Sequence, residues 1–421
     1  MDVEFAFYVG VDWATQIHRV CVMDAQGKIL LEQALKHSGD AIRNFLQALE
    51  LMTRGEVQRV AVGIEVPRGP LVEVFLERNY AVFSINPKQL DRFRDRHSVA
   101  GAKDDRRDAF VAADSLRTDR PCFRRLALDP PAIIRLRELS RTEEDLTGDL
   151  RRTVNQLYQL LLRYYPQLLQ LASVPDEPWL WALLELAPTP QRGAKLTMAR
   201  LKQLLAKHRI RRWSAEQVRE ILVSSPLPLA PGSEHAVSEH ALLLLPQLRL
   251  LYNQCKQVVD RVQQLLDQMT ASESDHPDRH THRDVSLLLS IPGVGRMITA
   301  TMMAEGSDLL AQRDYHALRA YAGIAPVTRQ SGKSKQVIMR HSCNPRLRNA
   351  FYHWARTSVQ NDEWSKQHYA RLRRAGHGHA RALRGVADRL LAVLIAMLKS
   401  GKCYDPNRRS ATSTATPAAQ S

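Results

Sequence analysis

The chain has 421 residues, 44% of them hydrophobic, and its 60 Lys and Arg exceed its 44 Asp and Glu for a formal charge of +16. At roughly 100–200 residues per domain this allows two to four domains with ordinary packed cores. No apolar run reaches the length of about 18 residues that a membrane-spanning helix needs, and the five cysteines form no CxxC pair, which argues against a disulfide framework or a zinc knuckle. The opening residues, MDVEFAFYVGVDW, carry acids where a secretion signal carries lysines. The expectation is a bacterial cytoplasmic, nucleoid-associated protein that engages no membrane. Charge is unevenly spread. Residues 1–120 hold 17 Lys and Arg against 18 Asp and Glu, whereas residues 285–421 hold 21 against 7. A basic block of that size points to a polyphosphate backbone as partner.

Residues 5–12 read as a buried strand, and 17–23 and 28–34 follow as two more around the turn Ala25-Gln26-Gly27. Residues 40–53 have helical periodicity. Residues 58–65 form a fourth strand ending on Glu65, and Pro67-Arg68-Gly69-Pro70 breaks it before a helix to about Arg78. Residues 80–86 form a fifth strand, and a helix runs from about Asp104 to Leu116. The order βββαβαβα matches an RNase H-like α/β domain.

The rest of the chain reads as all-α. Residues 131–165 form a long helix with Leu139, Leu146, Leu150, Val154, Leu157 and Leu161 along one stripe. Residues 241–270 form another, with Leu245, Leu248, Tyr252, Cys255, Val259, Val262, Leu266 and Met269 alternating by three and four, a heptad seam. Self-packing as a helical hairpin and contact with a second copy both satisfy it. Residues 173–235 between them are Pro-interrupted and read as a small helical insert. Asp275 to Asp284, with His276, His280 and His282, reads as a polar linker without the paired ligand spacing of zinc sites. Residues 286–400 read as helical, broken by glycine turns, and the tail beyond about Asn407 as disordered.

Two apolar strands end on carboxylates, Asp12 in VGVDWA and Glu65 in VGIEVP. In KDDRRD, Asp105 and Asp108 stand three apart and share a helix face. Four converging acids repel one another unless a cation neutralises them. Mg²⁺ suits such oxygen-only ligands, and a pair of such ions about 3.5–4 Å apart serves phosphodiester chemistry. Asp105 and Asp108 also fit a plain capping role at a helix start. Asp104, four residues before Asp108, is an alternative ligand to Asp105.

Further along, SIPGVGR at 290–296 resembles a helix-hairpin-helix turn, and a plain helix–helix turn reads equally well. Ser331 precedes a glycine and lies among Arg329, Lys333, Lys335, Arg340, Arg346 and Arg348. A hydroxyl on a flexible turn in cationic surroundings suits attack on phosphorus. Chemistry alone reads it first as a turn serine in a nucleic-acid-binding loop.

Taken together, VGVDWA, GIEVPRG, KDDRRDA, IPGVG, YAGIAP and the SGKS…NPRLR block resemble, in order and over nearly the whole chain, the DEDD transposases of bacterial insertion sequences, relatives of the pilin-gene DNA invertases. The resemblance implies a RuvC-like catalytic domain over 1–125, a coiled-coil helical linker with its insert over 126–284, a C-terminal helical transposase domain over 285–402 and a disordered tail over 403–421. It implies Asp12, Glu65, Asp105 and Asp108 as Mg²⁺ ligands and Ser331 as the nucleophile of a covalent phosphoserine with DNA, the two sites meeting across protomers. It also implies donor and target duplex DNA, a structured guide RNA from the element, and a homodimer or homotetramer. The sequence departs from the pattern at Asp104, where the family has Thr, and at Cys343, where it has Gly. The rival readings are a RuvC-like junction nuclease working by two-metal hydrolysis, with Ser331 a mere phosphate contact, and a non-enzymatic nucleic-acid scaffold.

Overall fold

The computed structural model describes residues 4–97, 104–271, 279–332 and 334–405. It divides into two compact units, Met1–Pro130 and Pro131–Ser421, each with its own core. The first is mixed α/β. Its elements are β1 (Phe7–Asp12), β2 (Ile17–Asp24), β3 (Ile29–Lys36), α1 (Gly39–Met52), β4 (Val60–Ile64), α2 (Pro70–Glu77), β5 (Ala81–Ser84), α3 (Pro87–Asp95), α4 (Asp105–Asp119) and β6 (Arg124–Arg125). They build a six-stranded sheet in the order β3-β2-β1-β4-β5-β6. β1, β2 and β3 run antiparallel in sequence, and β4 and β5 join parallel to β1.

Two elements of this unit were not expected. β5 is shorter than residues 80–86 because Pro87 cannot extend a ladder; Asn86 instead caps α3, its side chain accepting from the Lys88 N–H. The short β6 then closes the sheet against β5.

Parallel central strands are covered on both faces. On one, Val9, Val11, Val20, Val22, Val62 and Ile64 pack with Phe45, Leu46, Leu49 and Phe75 from α1 and α2. Burying each such side chain contributes roughly 1.5–3 kcal/mol. The other face is built of small residues along its middle row, flanked by Tyr8, Met23 and Phe83. Cys21, Gly10 and Gly63 stand in one cross-strand row, and α4 lies in the shallow channel they leave. A Cβ on Gly10 would strike the Ala109 carbonyl, and one on Gly63 would come within 2.9 Å of Ile85 Cδ1 and 3.2 Å of the Ala112 carbonyl. Ala109, Ala112 and Ala113 keep the helix surface equally flat.

The second unit begins with α5 (Pro131–Tyr164), followed by α6 (Gln167–Leu171), α7 (Pro178–Leu186), α8 (Pro190–Ala194), α9 (Met198–Lys207), α10 (Ala215–Val223) and α11 (Ser233–Ala271). The start of α5 (Ile133, Leu136) shares a core with the end of α11 (Val262, Leu266, Met269). The end of α5 (Leu157, Leu161) shares another with the start of α11 (Ala241, Leu245, Leu248). The two long helices therefore pack antiparallel on each other. Buried Leu251 and Val258 replace the expected Tyr252 and Val259 in mid-helix, a drift that follows from 3.6 rather than 3.5 residues per turn.

Beyond α11 come α12 (Arg279–Leu289), α13 (Arg296–Gln312), α14 (Tyr315–Tyr321), β7 (Val327–Ser331), β8 (Ser334–Ile338), α15 (Pro345–Asn361), α16 (Glu363–Arg374) and α17 (His379–Ser400). Two expectations are corrected here. The segment 275–284 is no linker from Arg279 onward, because α12 begins there and buries His282 and Asp284. Asp284 accepts from both terminal nitrogens of the Arg313 guanidinium, at 2.5 and 2.7 Å. His276 lies outside the described residues. The stretch 286–400 is not wholly helical, because β7 and β8 form a two-stranded antiparallel ribbon. No described helix is long and apolar enough to cross a membrane.

Candidate active site

In the ladder of β1 and β4, Val11 pairs with Ile64. Asp12, which ends β1, and Glu65, the residue after β4, therefore leave neighbouring strands side by side. Strand alternation gives them the parity of Gly10 and Gly63, on the sheet face that α4 covers. The loop after Asp12 is pinned by His18, which is fully buried. Its Nδ1 accepts from the Ala14 N–H at 3.1 Å, which leaves Nε2–H to donate to His37 Nδ1 at 3.0 Å. Burial, and then His37, holds His18 below its ordinary value, so the ring is neutral. Trp13 stacks on His18 at 4.5 Å and also borders Gly69, in the loop after Glu65.

α4 brings the other acids. Asp104 is its N-cap, accepting from the Arg106 N–H at 3.1 Å. Asp105 stands exposed in the first turn. Asp108 is buried, and Arg94 of α3 donates to it through Nε at 2.7 Å. Arg106 pairs with Glu32 of β3. Four carboxylates without nitrogen or sulfur ligands fit a hard divalent cation in donor chemistry. Yet among the described residues no group of three or more His, Cys, Asp and Glu is gathered closely enough to hold a metal ion. Asp12 and Glu65 stand at neighbouring strand ends, and Asp105 and Asp108 stand on the helix that covers the same sheet face. The buried carboxylate of Asp108 is neutralised by the Arg94 guanidinium.

In the second unit Ser331 ends β7 and pairs with Ser334 across a two-residue connection, in which Gly332 takes φ +53°. It is exposed and belongs to a paired strand, rather than to the free turn expected. Alternation places Arg329, two residues back, on the same face of the ribbon as Ser331. The other expected cations stand at the base of the ribbon. Arg340 Nε donates to the Ala325 carbonyl at 3.4 Å, Arg348 lies 3.8 Å from Cys343 Sγ, and Arg346 pairs with Glu144 at 2.5 Å. Lys333 and the Lys335 side chain lie outside the described residues.

A polar network holds both legs of the ribbon. Asn344 follows β8 and caps α15, its Oδ1 accepting from the Leu347 N–H. Its Nδ2 donates to Glu305 at 2.8 Å and approaches the Tyr321 hydroxyl at 3.2 Å, while its N–H donates to the Tyr321 carbonyl. Tyr321 precedes β7. Glu305 also receives both arms of Arg141 from α5. Burial opposes its charge, but hydrogen bonds from Arg141 and Asn344 and the charges of Arg141 and Arg137 prevail. They hold its carboxyl below the ordinary value.

Comparison with known proteins meets these sites. Residues 9–166 match a DEDD transposase family model of the IS110 type, and residues 285–370 match the transposase IS116/IS110/IS902 family. The chain is 32% identical over 412 residues to the candidate transposase of the IS117 mini-circle from Streptomyces coelicolor, covering 95% of this chain and 96% of that protein. The chain belongs to the IS110-type DEDD transposases. A candidate transposase of Sinorhizobium fredii is 45% identical over 210 residues, 49% of this chain and 58% of that protein. An insertion element IS900 protein of Mycobacterium paratuberculosis is 25% identical over 97% of this chain and 98% of its own length.

As a transposase the chain acts on DNA, and a DEDD-type domain implies dependence on a divalent cation in general. Four residues of this transposase escaped the sequence reading: Arg94, His18, Glu305 and Tyr321. The first three find their partners 14, 19 and 39 residues away, so local spacing carries no trace of them. Tyr321 and Asn344 stood in the motifs YAGIAP and NPRLR, and that co-occurrence was the available signal. The helices α6 to α11 lie outside both matched stretches, apart from what the full-length relatives share.

Proposed function

We propose that this transposase cuts and exchanges DNA strands through a phosphoserine on Ser331, with Mg²⁺ as its cation and a structured RNA from its own element as guide. The Ser331 oxygen attacks the scissile phosphorus, the P–O3′ bond breaks, and the leaving 3′ oxygen takes up a proton. The serine ester conserves the bond energy. A 3′-hydroxyl from another strand then displaces Ser331, which recovers its proton. Asp12, Glu65, Asp105 and Asp108 would hold the cation, which when bound neutralises phosphate charge and orients the scissile group. Asp105 is preferred to Asp104 because the Asp104 carboxylate already serves the helix cap. Arg329, on the serine face of the ribbon, would meet the phosphate oxygens.

The observation that carries this reading is an exposed serine at the tip of a ribbon, beside an arginine, in a chain of the DEDD transposase family. Incubate the Ser331→Ala protein with DNA, element RNA and Mg²⁺, and resolve it on a denaturing gel. Loss of the covalent protein–DNA band is expected; persistence of that band rules Ser331 out as nucleophile. Free 5′-phosphate ends from the unaltered protein, with no adduct at any time, would return the chemistry to hydrolysis. We further propose an even-numbered assembly. The support is Leu243 and Leu250, 76% and 57% exposed, seven residues apart on one stripe of α11.

A further inference from the structure

We propose that the helical insert built on α8, α9 and α10 is a second nucleic-acid contact, gripping a phosphodiester backbone through the cations along α9. Between Thr189 and Trp213 the chain carries eight Arg and Lys and no Asp or Glu. All eight are exposed. Lys202 pairs with Glu216 at 3.6 Å and Arg212 with Glu177 at 2.5 Å. The remaining six, Arg192, Lys195, Arg200, Lys207, Arg209 and Arg211, form no salt bridge among the described residues. Elsewhere in the same unit arginines are neutralised as pairs, Arg249 by Glu185 and Arg319 by Asp388. An unneutralised single-sign surface raises the local concentration of a polyanion.

The surface is held rigidly. Leu201, Leu204 and Leu205 of α9 face a core containing Trp179, Trp181, Leu183, Val218 and Leu222. Arg200 and Lys207, both exposed and seven residues apart, therefore share one flank of the helix beside the leucine stripe. Lys195 stands before the start of α9, and Arg209 and Arg211 stand past its end. At 1.5 Å per residue the track spans roughly 15 Å of helix plus its flanks, enough for several consecutive phosphates. A cleft of about 670 Å³ opens beside it, lined by Arg192, Lys195, Gln191, Thr189 and His235, with Glu234 as the one acid in its lining. Backbone positioning needs cations and polar side chains of this sort, and no base-reading element.

The inference rests on the chain being a transposase, and not on Ser331. The test uses the full-length protein with Arg192, Lys195, Arg209 and Arg211 all changed to Gln. Its affinity is measured by fluorescence anisotropy on mixed-sequence duplex DNA, duplex RNA and single-stranded DNA, each across a salt series. At least a tenfold loss is expected near 100 mM salt. The slope of log affinity against log salt should fall by about 2 or more, since each lost phosphate contact removes about 1. A loss on all three probes assigns the track to the shared backbone, and a loss on one names the strand it holds. A companion protein with Arg192, Arg209 and Arg211 changed to Lys keeps the charge and should keep the affinity. Unchanged affinity and slope in the Gln protein overturn the proposal, and so does equal loss in the Lys protein. Binding is read without strand cleavage, so failure here leaves the phosphoserine reading standing.

Discussion

Arg94 neutralises Asp108 in this structure, the part that the proposed function gives to a cation. Asp108 is 3% exposed, and a buried carboxylate without a counter-charge is costly. Should Asp108 hold the cation proposed above, cation and guanidinium would compete for one side chain. Arg94→Ala should lower the melting temperature in EDTA, since removing one partner of a buried pair costs about 3–5 kcal/mol. Added Mn²⁺ should then restore it more fully than it raises that of the unaltered protein, as read by thermal melts in both conditions. Equal Mn²⁺ shifts in the two proteins would refute the competition. The strand-end positions of Asp12 and Glu65 were legible in the sequence because each carboxylate closes an apolar run. Arg94 was not, because an arginine on a short amphipathic helix looks like any solvated charge until its partner is known.

Among the elements, the β7–β8 ribbon depends on what lies beneath it. Its strands expose most of their side chains and bury no apolar face, so it contributes little stability of its own. Asn344, Tyr321, Glu305 and Arg141 fix its two legs instead. The Glu305 carboxyl is held below the ordinary 4.5. A group with a depressed folded value contributes stability that is present above the unfolded value and lost as pH falls through the folded one. Glu305→Gln should therefore destabilise the second unit at pH 7 by at least about 2 kcal/mol, the scale of charged hydrogen bonds. It should also flatten the loss of stability below about pH 4.5, which denaturant titrations at pH 7 and pH 4 would measure. An identical pH dependence in the two proteins would contradict the assignment. The ribbon itself was missed because Arg, Gln, Ser and Lys dominate it and hide the two-residue period. The β-branched Val327, Thr328, Val337 and Ile338 flanking Gly332 were the signal that remained.

For the molecule as a whole, the long helices α5 and α11 were legible as helices, although α11 starts at Ser233 rather than at 241, but not their use. The heptad pattern does not distinguish packing within a chain from packing between chains, since both bury one stripe. The structure spends the inner stripe of α11 on α5, which leaves Leu243 and Leu250 on its outer side. Light scattering on the protein with RNA and DNA is expected to give an even number of copies. Leu243→Glu with Leu250→Glu should reduce the mass to that of a single chain. A single chain already present in the unaltered complex would remove the assembly from the proposal. Charge segregation was legible as a sum and hidden as a pattern: the first unit is near neutral, while the +14 of residues 285–421 drew attention from the smaller, denser run in the insert.

The channel of Gly10, Cys21 and Gly63 has a consequence for how this protein can change over generations. α4 carries Asp105 and Asp108, and the strands beneath it carry Asp12 and lead to Glu65. The height of the helix over Gly10 is set by backbone lying close on backbone, and over Gly63 by the Ala112 carbonyl and the Ile85 and Leu116 side chains. A single added methyl at Gly10 meets the Ala109 carbonyl, and lifting the helix to admit it would shift Asp105 and Asp108 relative to Asp12 and Glu65, the four acids of the proposed site. Under the proposed function, residues that take no part in chemistry would thus act as the gauge block of the site. A mutational library across Gly10, Gly63, Ala109, Ala112 and Ala113 should return active clones nearly as restricted as one across the acids themselves.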